Sequence, residues 1–88
     1  MQIPNITNYE LTVAMKNIIE KALKSIPYQE RNNLKLVRKS VENQIDIKYK
    51  NILDMPDLYQ EELNRIGIYN TLDIDKAIWR FFVQYHKR

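Results

Sequence analysis

The sequence predicts an all-α fold, a compact four-helix domain with helices at about 8–26, 29–53, 57–66 and 73–86. Apolar residues recur with a period near 3.6 in these segments, which is the spacing of an amphipathic helix. No segment shows the alternating pattern and turn signals of a β-hairpin. Because the 88 residues contain neither a repeat nor a linker, we expect one domain, residues 1–88.

The first predicted helix lies between a polar cap and a proline. Thr7 or Asn8 can cap its start, because a short side-chain oxygen satisfies an unpaired backbone N–H. Pro27 ends it, since proline disfavours the helical conformation in the residue before it. Its apolar side is expected to enter the core and consists of Leu11, Ala14, Met15, Ile18, Ile19, Ala22, Leu23 and Ile26.

The second predicted helix is apolar on two sides, which is typical of a central helix or of an interface helix. The main stripe consists of Leu34, Val37, Val41, Ile45 and Ile52. The sparser second stripe consists of Leu36, Ser40 and Ile47.

The third and fourth helices are predicted from a glycine and an aspartate. Gly67, the only glycine, lies where a left-handed C-terminal cap is expected, and Asp73 is a suitable N-cap for the last helix. The third helix is expected to bury Leu58, Tyr59, Leu63 and Ile66. The core stripe of the fourth is Ile74, Ala77, Ile78, Phe81 and Tyr85.

The last helix carries more apolar surface than a small core can absorb. Apolar or aromatic residues cover roughly two-thirds of its circumference, at 100° per residue. The predicted protein-binding residues are Trp79, Arg80, Phe82 and Val83. Tryptophan and arginine are over-represented among residues that dominate binding energy. We therefore expect a small non-enzymatic binding module with a regulatory or accessory role, acting through a protein partner or through self-assembly, with a homo-oligomer as the favoured form. Alternatively, the last helix is the central element of the fold, and Trp79 packs inside the domain.

Charge is unevenly distributed, which supports an alternative function in binding nucleic acid. Residues 31–50 carry a net charge of +4, residues 51–75 of −5 and residues 76–88 of +4, within a total of +3. A stripe of cations at helical spacing can follow a phosphate backbone. The candidate nucleic-acid-binding residues are Arg31, Lys35, Arg38, Lys39, Lys76, Lys87 and Arg88. Glu42 and Asp46 continue the same helix side, so a merely solvated face is the competing interpretation.

Residues 62–68 resemble the first helix and turn of a helix-turn-helix motif, in which a glycine often occupies the turn. The resemblance implies a recognition helix that begins near Asp73. Asp73 and Asp75 oppose this interpretation, because phosphates would repel both carboxylates.

Catalysis, cofactors and metals have little support in the sequence. His86 is the only histidine and there is no cysteine, so no catalytic residue and no cofactor is expected. A cation site built from Asp54, Asp57, Asp73 and Asp75 lacks any recognised spacing, so no metal site is expected.

Without a long apolar run or a signal peptide, we expect no membrane association and a cytoplasmic location. The abundance of Ile, Asn, Lys and Tyr is typical of AT-rich genomes, which include many viruses and mobile elements.

Overall fold

The computed structural model describes residues 11–85, and within this range all regular structure is helical. The four helices are α1 (Val13–Lys24), α2 (Leu34–Lys48), α3 (Pro56–Arg65) and α4 (Thr71–Tyr85). Short 3₁₀ turns at Tyr28–Glu30 and Lys50–Ile52 lie on either side of α2. The predicted all-α, four-helix domain is confirmed.

The core lies among α1, α2 and α4, and α1 packs against both of the other two helices. The largest completely shielded side chains come from these three helices and are Met15, Ile19, Val37, Val41 and Ile78. Burying an aliphatic side chain of this size contributes about 1.5–3 kcal/mol. These residues belong to the predicted core stripes, so the inward faces of α1, α2 and α4 follow from the sequence.

Helix α1 begins at Val13, so the predicted start near residue 8 is wrong. Thr12 is the N-cap, because its Oγ1 accepts a hydrogen bond from the Met15 N–H at 3.2 Å. The same hydroxyl donates to the Ile66 carbonyl at 3.1 Å, which links the start of α1 to the end of α3. The predicted caps, Thr7 and Asn8, lie outside the described residues.

Helix α2 is shorter than the predicted segment 29–53 at both ends. Asn33 caps its start, since its Oδ1 accepts from the Leu36 N–H at 3.3 Å. At the other end the chain leaves the helix at Tyr49, whose ring packs edge-to-face on Tyr59 of α3 with centroids 6.3 Å apart. A local cap and a tertiary contact therefore set the ends of α2, and the apolar period does not reveal either.

Gly67 ends α3 as predicted, with a positive φ of 96°. Its N–H donates to the Asn64 carbonyl at 3.1 Å, and the Ile68 N–H donates to the Leu63 carbonyl at 2.9 Å. This pair of bonds defines a Schellman motif, which requires a left-handed residue where the helix ends.

Helix α4 begins at Thr71, so the prediction of Asp73 as its N-cap is wrong. Asn70 occupies the capping position, because its Oδ1 accepts from the Asp73 N–H at 3.2 Å. The Asp73 carboxylate in turn accepts from the Tyr69 and Asn70 N–H groups at 2.8 and 3.1 Å. This reciprocal arrangement is a capping box, and it buries Asp73 with its hydrogen bonds satisfied.

Two apolar residues that were expected in the core are exposed. Leu58 lies on the solvent side of α3, a short helix that packs chiefly on the neighbouring 3₁₀ turn. Tyr85 is the last residue of α4 and extends beyond the core. In the second stripe of α2, Ile47 is 62% exposed, whereas Leu36 is half-buried and packs against the core. The two apolar sides of α2 are therefore not equivalent.

Candidate functional site

Helix α4 separates its core side from the four predicted protein-binding residues. Ile74, Ala77, Ile78 and Phe81 are buried against α1 and α2. Away from this stripe, Val83 is 48% exposed, and Trp79, Arg80 and Phe82 are each half-buried. By helical geometry, Trp79 and Val83 lie on the side of α4 opposite this stripe, and Arg80 and Phe82 flank them on either side.

Trp79 and Phe82 form the aromatic part of this side. Their ring centroids lie 6.1 Å apart with an interplanar angle of 88°, an edge-to-face contact. Phe82 also meets Phe81, with centroids 6.4 Å apart. Such pairs contribute about 0.5–1.5 kcal/mol beyond simple burial. The aromatic rings are thus held against the core while part of their surface faces solvent.

The indole N–H of Trp79 is shielded from solvent and has no acceptor within hydrogen-bond distance in the described part of the chain. An unpaired buried donor costs about 1–3 kcal/mol. A tryptophan that served only as a core residue would be expected to find an acceptor for this group. The position of Trp79 is therefore less favourable than that of a fully satisfied core side chain.

Leu72 extends the exposed apolar surface by two helical turns. It precedes Trp79 by seven residues and Val83 by eleven, so the three lie along one side of α4, and Leu72 is 50% exposed. Lys76 lies between Leu72 and Trp79 on the same side. The predicted start of the fourth helix at about residue 73 leaves Leu72 outside the helix, although its seven-residue spacing from Trp79 can be read from the sequence. The α4 outer face is defined here as Leu72, Lys76, Trp79, Arg80, Phe82 and Val83.

An aromatic groove of about 540 Å³ adjoins the α4 outer face at Phe82. Tyr28, in the turn after α1, and Tyr85 contribute exposed rings to it. Arg31 lies on the groove wall with its guanidinium carbon 5.6 Å from the Tyr28 ring centroid. Apolar surface therefore continues from α4 onto the α1–α2 connection, and the sequence pattern did not reveal this.

Arg38 is engaged within the fold. Its Nε and Nη2 donate to the two carboxylate oxygens of Asp75 at 2.8 and 2.9 Å, which joins α2 to α4. The hydrogen bond to Asp75 and the attraction of its charge raise the pKa of Arg38. Because one edge of its guanidinium already binds Asp75, the charge of Arg38 is paired within the fold and is less available to a phosphate.

The other cations of the predicted basic stripe do not form a continuous row. Arg31 precedes α2, and its Nε donates to the Ile26 carbonyl at 3.1 Å. Lys35 and Lys39 are exposed one turn apart on α2. Lys76 is half-buried with its Nζ 4.0 Å from Asp73, and Lys87 and Arg88 lie outside the described residues. Of the candidate nucleic-acid set, Lys35 and Lys39 are thus the adjacent pair that remains open to solvent.

Two of the four aspartates considered for a cation site have other roles. Asp73 accepts backbone hydrogen bonds in the capping box, and Asp75 binds Arg38. No group of three or more metal-binding side chains occurs among residues 11–85. None of the helices described is both long and apolar enough to cross a membrane.

No protein-family model, curated protein or solved structure matches this chain. The α4 outer face and the charged surfaces are therefore interpreted from their own side chains.

Proposed function

We propose that this chain is a non-enzymatic helical module that binds a protein surface through the α4 outer face. The observation that supports this function is the apolar row on the side of α4 away from the core. In this row Leu72 and Val83 are 50% and 48% exposed on either side of Trp79. A single exposed apolar residue is ordinary, whereas a contiguous row beside an aromatic pair is typical of an interaction site.

The composition of the face suits a protein contact. Trp79 and Phe82 supply large rigid rings, and Val83 and Leu72 add aliphatic surface that loses water on binding. Arg80 forms no ion pair with any carboxylate of residues 11–85, so its guanidinium is available to a partner. The face therefore combines an apolar centre with a cationic edge, and an apolar surface with carboxylates at its rim would complement it.

A second copy of the chain is the partner we favour. The acidic region 51–75 loses three of its carboxylates to internal contacts, because Asp73 accepts two backbone N–H groups, Asp75 binds Arg38 and Glu62 lies 3.7 Å from Arg65. Its exposed carboxylates are those of Asp54, Asp57 and Glu61. This acidic surface in one copy complements Lys76 and Arg80 in another. Such a contact joins two different surfaces, so assembly is not restricted to a dimer.

Light scattering on the wild-type chain and on two matched variants tests this function. Val83→Glu places a carboxylate in the α4 outer face, and Ile47→Glu makes the same kind of change at an exposed position on α2. We expect the wild-type mass to exceed the 10.7 kDa of one chain and to fall on dilution. Val83→Glu should remain at the monomer mass, because a buried unpaired carboxylate opposes association.

Circular dichroism serves as the control that both variants keep their helices, which an exposed substitution should permit. Ile47→Glu should assemble like the wild type. A wild-type mass of 10.7 kDa at every concentration would contradict self-assembly. Equal loss of assembly in both variants would contradict the assignment of the α4 outer face.

Nucleic-acid binding is a second candidate function, and exposed lysines on α1 and α2 support it. Lys35 and Lys39 are exposed on α2, while Lys21, Lys24 and Lys48 line a groove of about 410 Å³ between α1 and α2. An atypical helix-turn-helix formed by α3 and α4 belongs to the same proposal. This function requires that a duplex oligonucleotide raise the scattering mass at low salt and that the increase disappear at high salt.

The cytoplasm remains the expected compartment, since a chain without cysteine gains nothing from an oxidising one.

A further inference from the structure

A cleft of about 340 Å³ lies where α2, α3 and the start of α4 meet, away from the buried stripe of α1. This volume is near the lower end of the range for small-ligand sites, about 300–1,000 Å³. The lining residues come from all three helices and from the turn before α4.

The floor of the cleft is apolar. Ile45, Ile68 and Ile74 belong to the buried core, and Leu63 is half-buried beside them. They come from different parts of the chain, so the floor forms only when the helices have packed. The floor therefore favours a hydrocarbon group of a few carbons, which would lose water on entering.

Two carboxylates stand on one wall of the cleft. Glu42 and Asp46 are one helical turn apart on α2, and neither is in an ion pair with a cation of residues 11–85. No lysine or arginine of this range lines the cleft, although Arg38, four residues before Glu42 on α2, is attracted by the charge of Glu42. In a chain whose net charge is +3, the cleft is therefore a local region of negative potential.

Tyr59 is held in place on the opposite wall. Its hydroxyl donates to Asp46 Oδ1 at 3.1 Å, and its ring lies edge-to-face with Tyr49 at 6.3 Å and 87°. Burial, followed by the hydrogen bond to Asp46, raises the pKa of Tyr59, so its hydroxyl stays protonated at neutral pH. Tyr69 adds a second, exposed ring to the lining. Aromatic faces attract cations in addition to the carboxylates.

We propose that this cleft binds an organic cation, a primary ammonium or guanidinium group carried on a short hydrocarbon stem. The stem lies on the apolar floor while the charged head meets Glu42 and Asp46. The head can belong to a free amine or to a lysine or arginine side chain of a peptide, since both present the same chemistry. This site is separate from the α4 outer face and does not depend on the function proposed for that face.

A titration followed by amide NMR shifts tests the site with three probes of similar size. Butylammonium should give saturable shifts at Ile45, Leu63 and Ile68. Butanol, which has the stem without the charge, should bind about twofold to fivefold more weakly, as expected for a partly exposed ion pair. Butyrate should bind most weakly, because the carboxylates repel it.

Two variants distinguish binding in the cleft from attraction to carboxylates elsewhere on the surface. The double variant Glu42→Gln/Asp46→Asn removes both charges but keeps an acceptor for the Tyr59 hydroxyl, so the preference for butylammonium over butanol should disappear. Glu30→Gln removes one charge from an exposed position in the 3₁₀ turn before α2, outside the cleft lining, and should keep the preference. Retained amide dispersion in each spectrum confirms that the variant is folded.

A blocked lysine, acetylated at its backbone nitrogen and amidated at its carboxyl end, distinguishes the two sources. Binding at least as tight as that of butylammonium identifies a peptide side chain as the ligand, and weaker binding identifies a free amine. The proposal is overturned if butanol binds as tightly as butylammonium or if the cleft amides show no saturable shift. It is also overturned if Glu30→Gln abolishes the preference as fully as the double variant does.

Discussion

Replacing Arg38 by methionine should destabilise the fold through one contact, the ion pair with Asp75. Methionine keeps most of the hydrocarbon stem and removes the guanidinium. The pair joins α2 to α4 across 37 residues of sequence through hydrogen bonds of 2.8 and 2.9 Å. Its loss therefore weakens the packing of two core helices directly.

The magnitude follows from geometry and exposure. A hydrogen bond to a charged group contributes about 1.5–3 kcal/mol, whereas an exposed ion pair contributes about 0.2–1 kcal/mol. The side chains of Arg38 and Asp75 are 43% and 17% exposed, which places this bidentate pair between the two cases. We expect a coupling energy of about 1–1.5 kcal/mol between the two residues, part of it lost in high salt.

A double-mutant cycle measures this coupling. Urea unfolding of the wild type, Arg38→Met, Asp75→Asn and the double variant gives four free energies of unfolding, read from helical circular dichroism. Because the pKa of Arg38 is raised in the folded state, the ion pair contributes fully to stability at any pH below the usual arginine pKa. The coupling energy should therefore not change between neutral and mildly alkaline pH. A coupling below about 0.3 kcal/mol, the usual error of additivity, would refute the assigned role of the pair.

Three further predictions concern single positions. Asp73→Ala should cost about 2 kcal/mol in the free energy of unfolding, because it removes the acceptor of two N–H groups at the start of α4, and equal stability in urea would contradict the capping box. Gly67→Ala should cost about 1 kcal/mol by the same measurement, since alanine opposes a φ of 96°, and an unchanged midpoint would show that no left-handed cap is required. The pKa of Tyr59 should lie above 10.0 in an NMR titration and should fall in Asp46→Asn. The stability of the wild type should decrease as pH rises above 10.0, because the unfolded state loses this proton more readily than the folded state. An unshifted pKa of Tyr59 would contradict its burial.

The core could be predicted from periodicity because burial depends on which side of a helix a residue occupies. Ile19, Val41 and Ile78 each lie in a predicted stripe, and all three are fully shielded. Helix ends were harder to predict, because several polar residues near each end can act as caps. Thr12 and Asn70 are the caps that the packed chain uses, and Thr12 is held there by the Ile66 carbonyl.

The candidate site was predicted only in part. Helical spacing places Trp79, Arg80 and Val83 on one side of α4, whereas Leu72 was missed because its helix was taken to begin later. The pairing of Arg38 with Asp75 joins residues far apart in sequence, so spacing within one helix cannot predict it. A basic stripe in the sequence therefore overstated the cations available to a phosphate backbone.

Acrylamide quenching of Trp79 fluorescence across a dilution series tests the central claim most directly. Trp79 is the only tryptophan in the chain and lies within the α4 outer face. If a second copy covers that face, quenching should be weak at high concentration and should rise on dilution, with a midpoint that matches the fall in scattering mass. Quenching that stays constant while the mass falls would place the contact elsewhere and contradict the proposed role of α4.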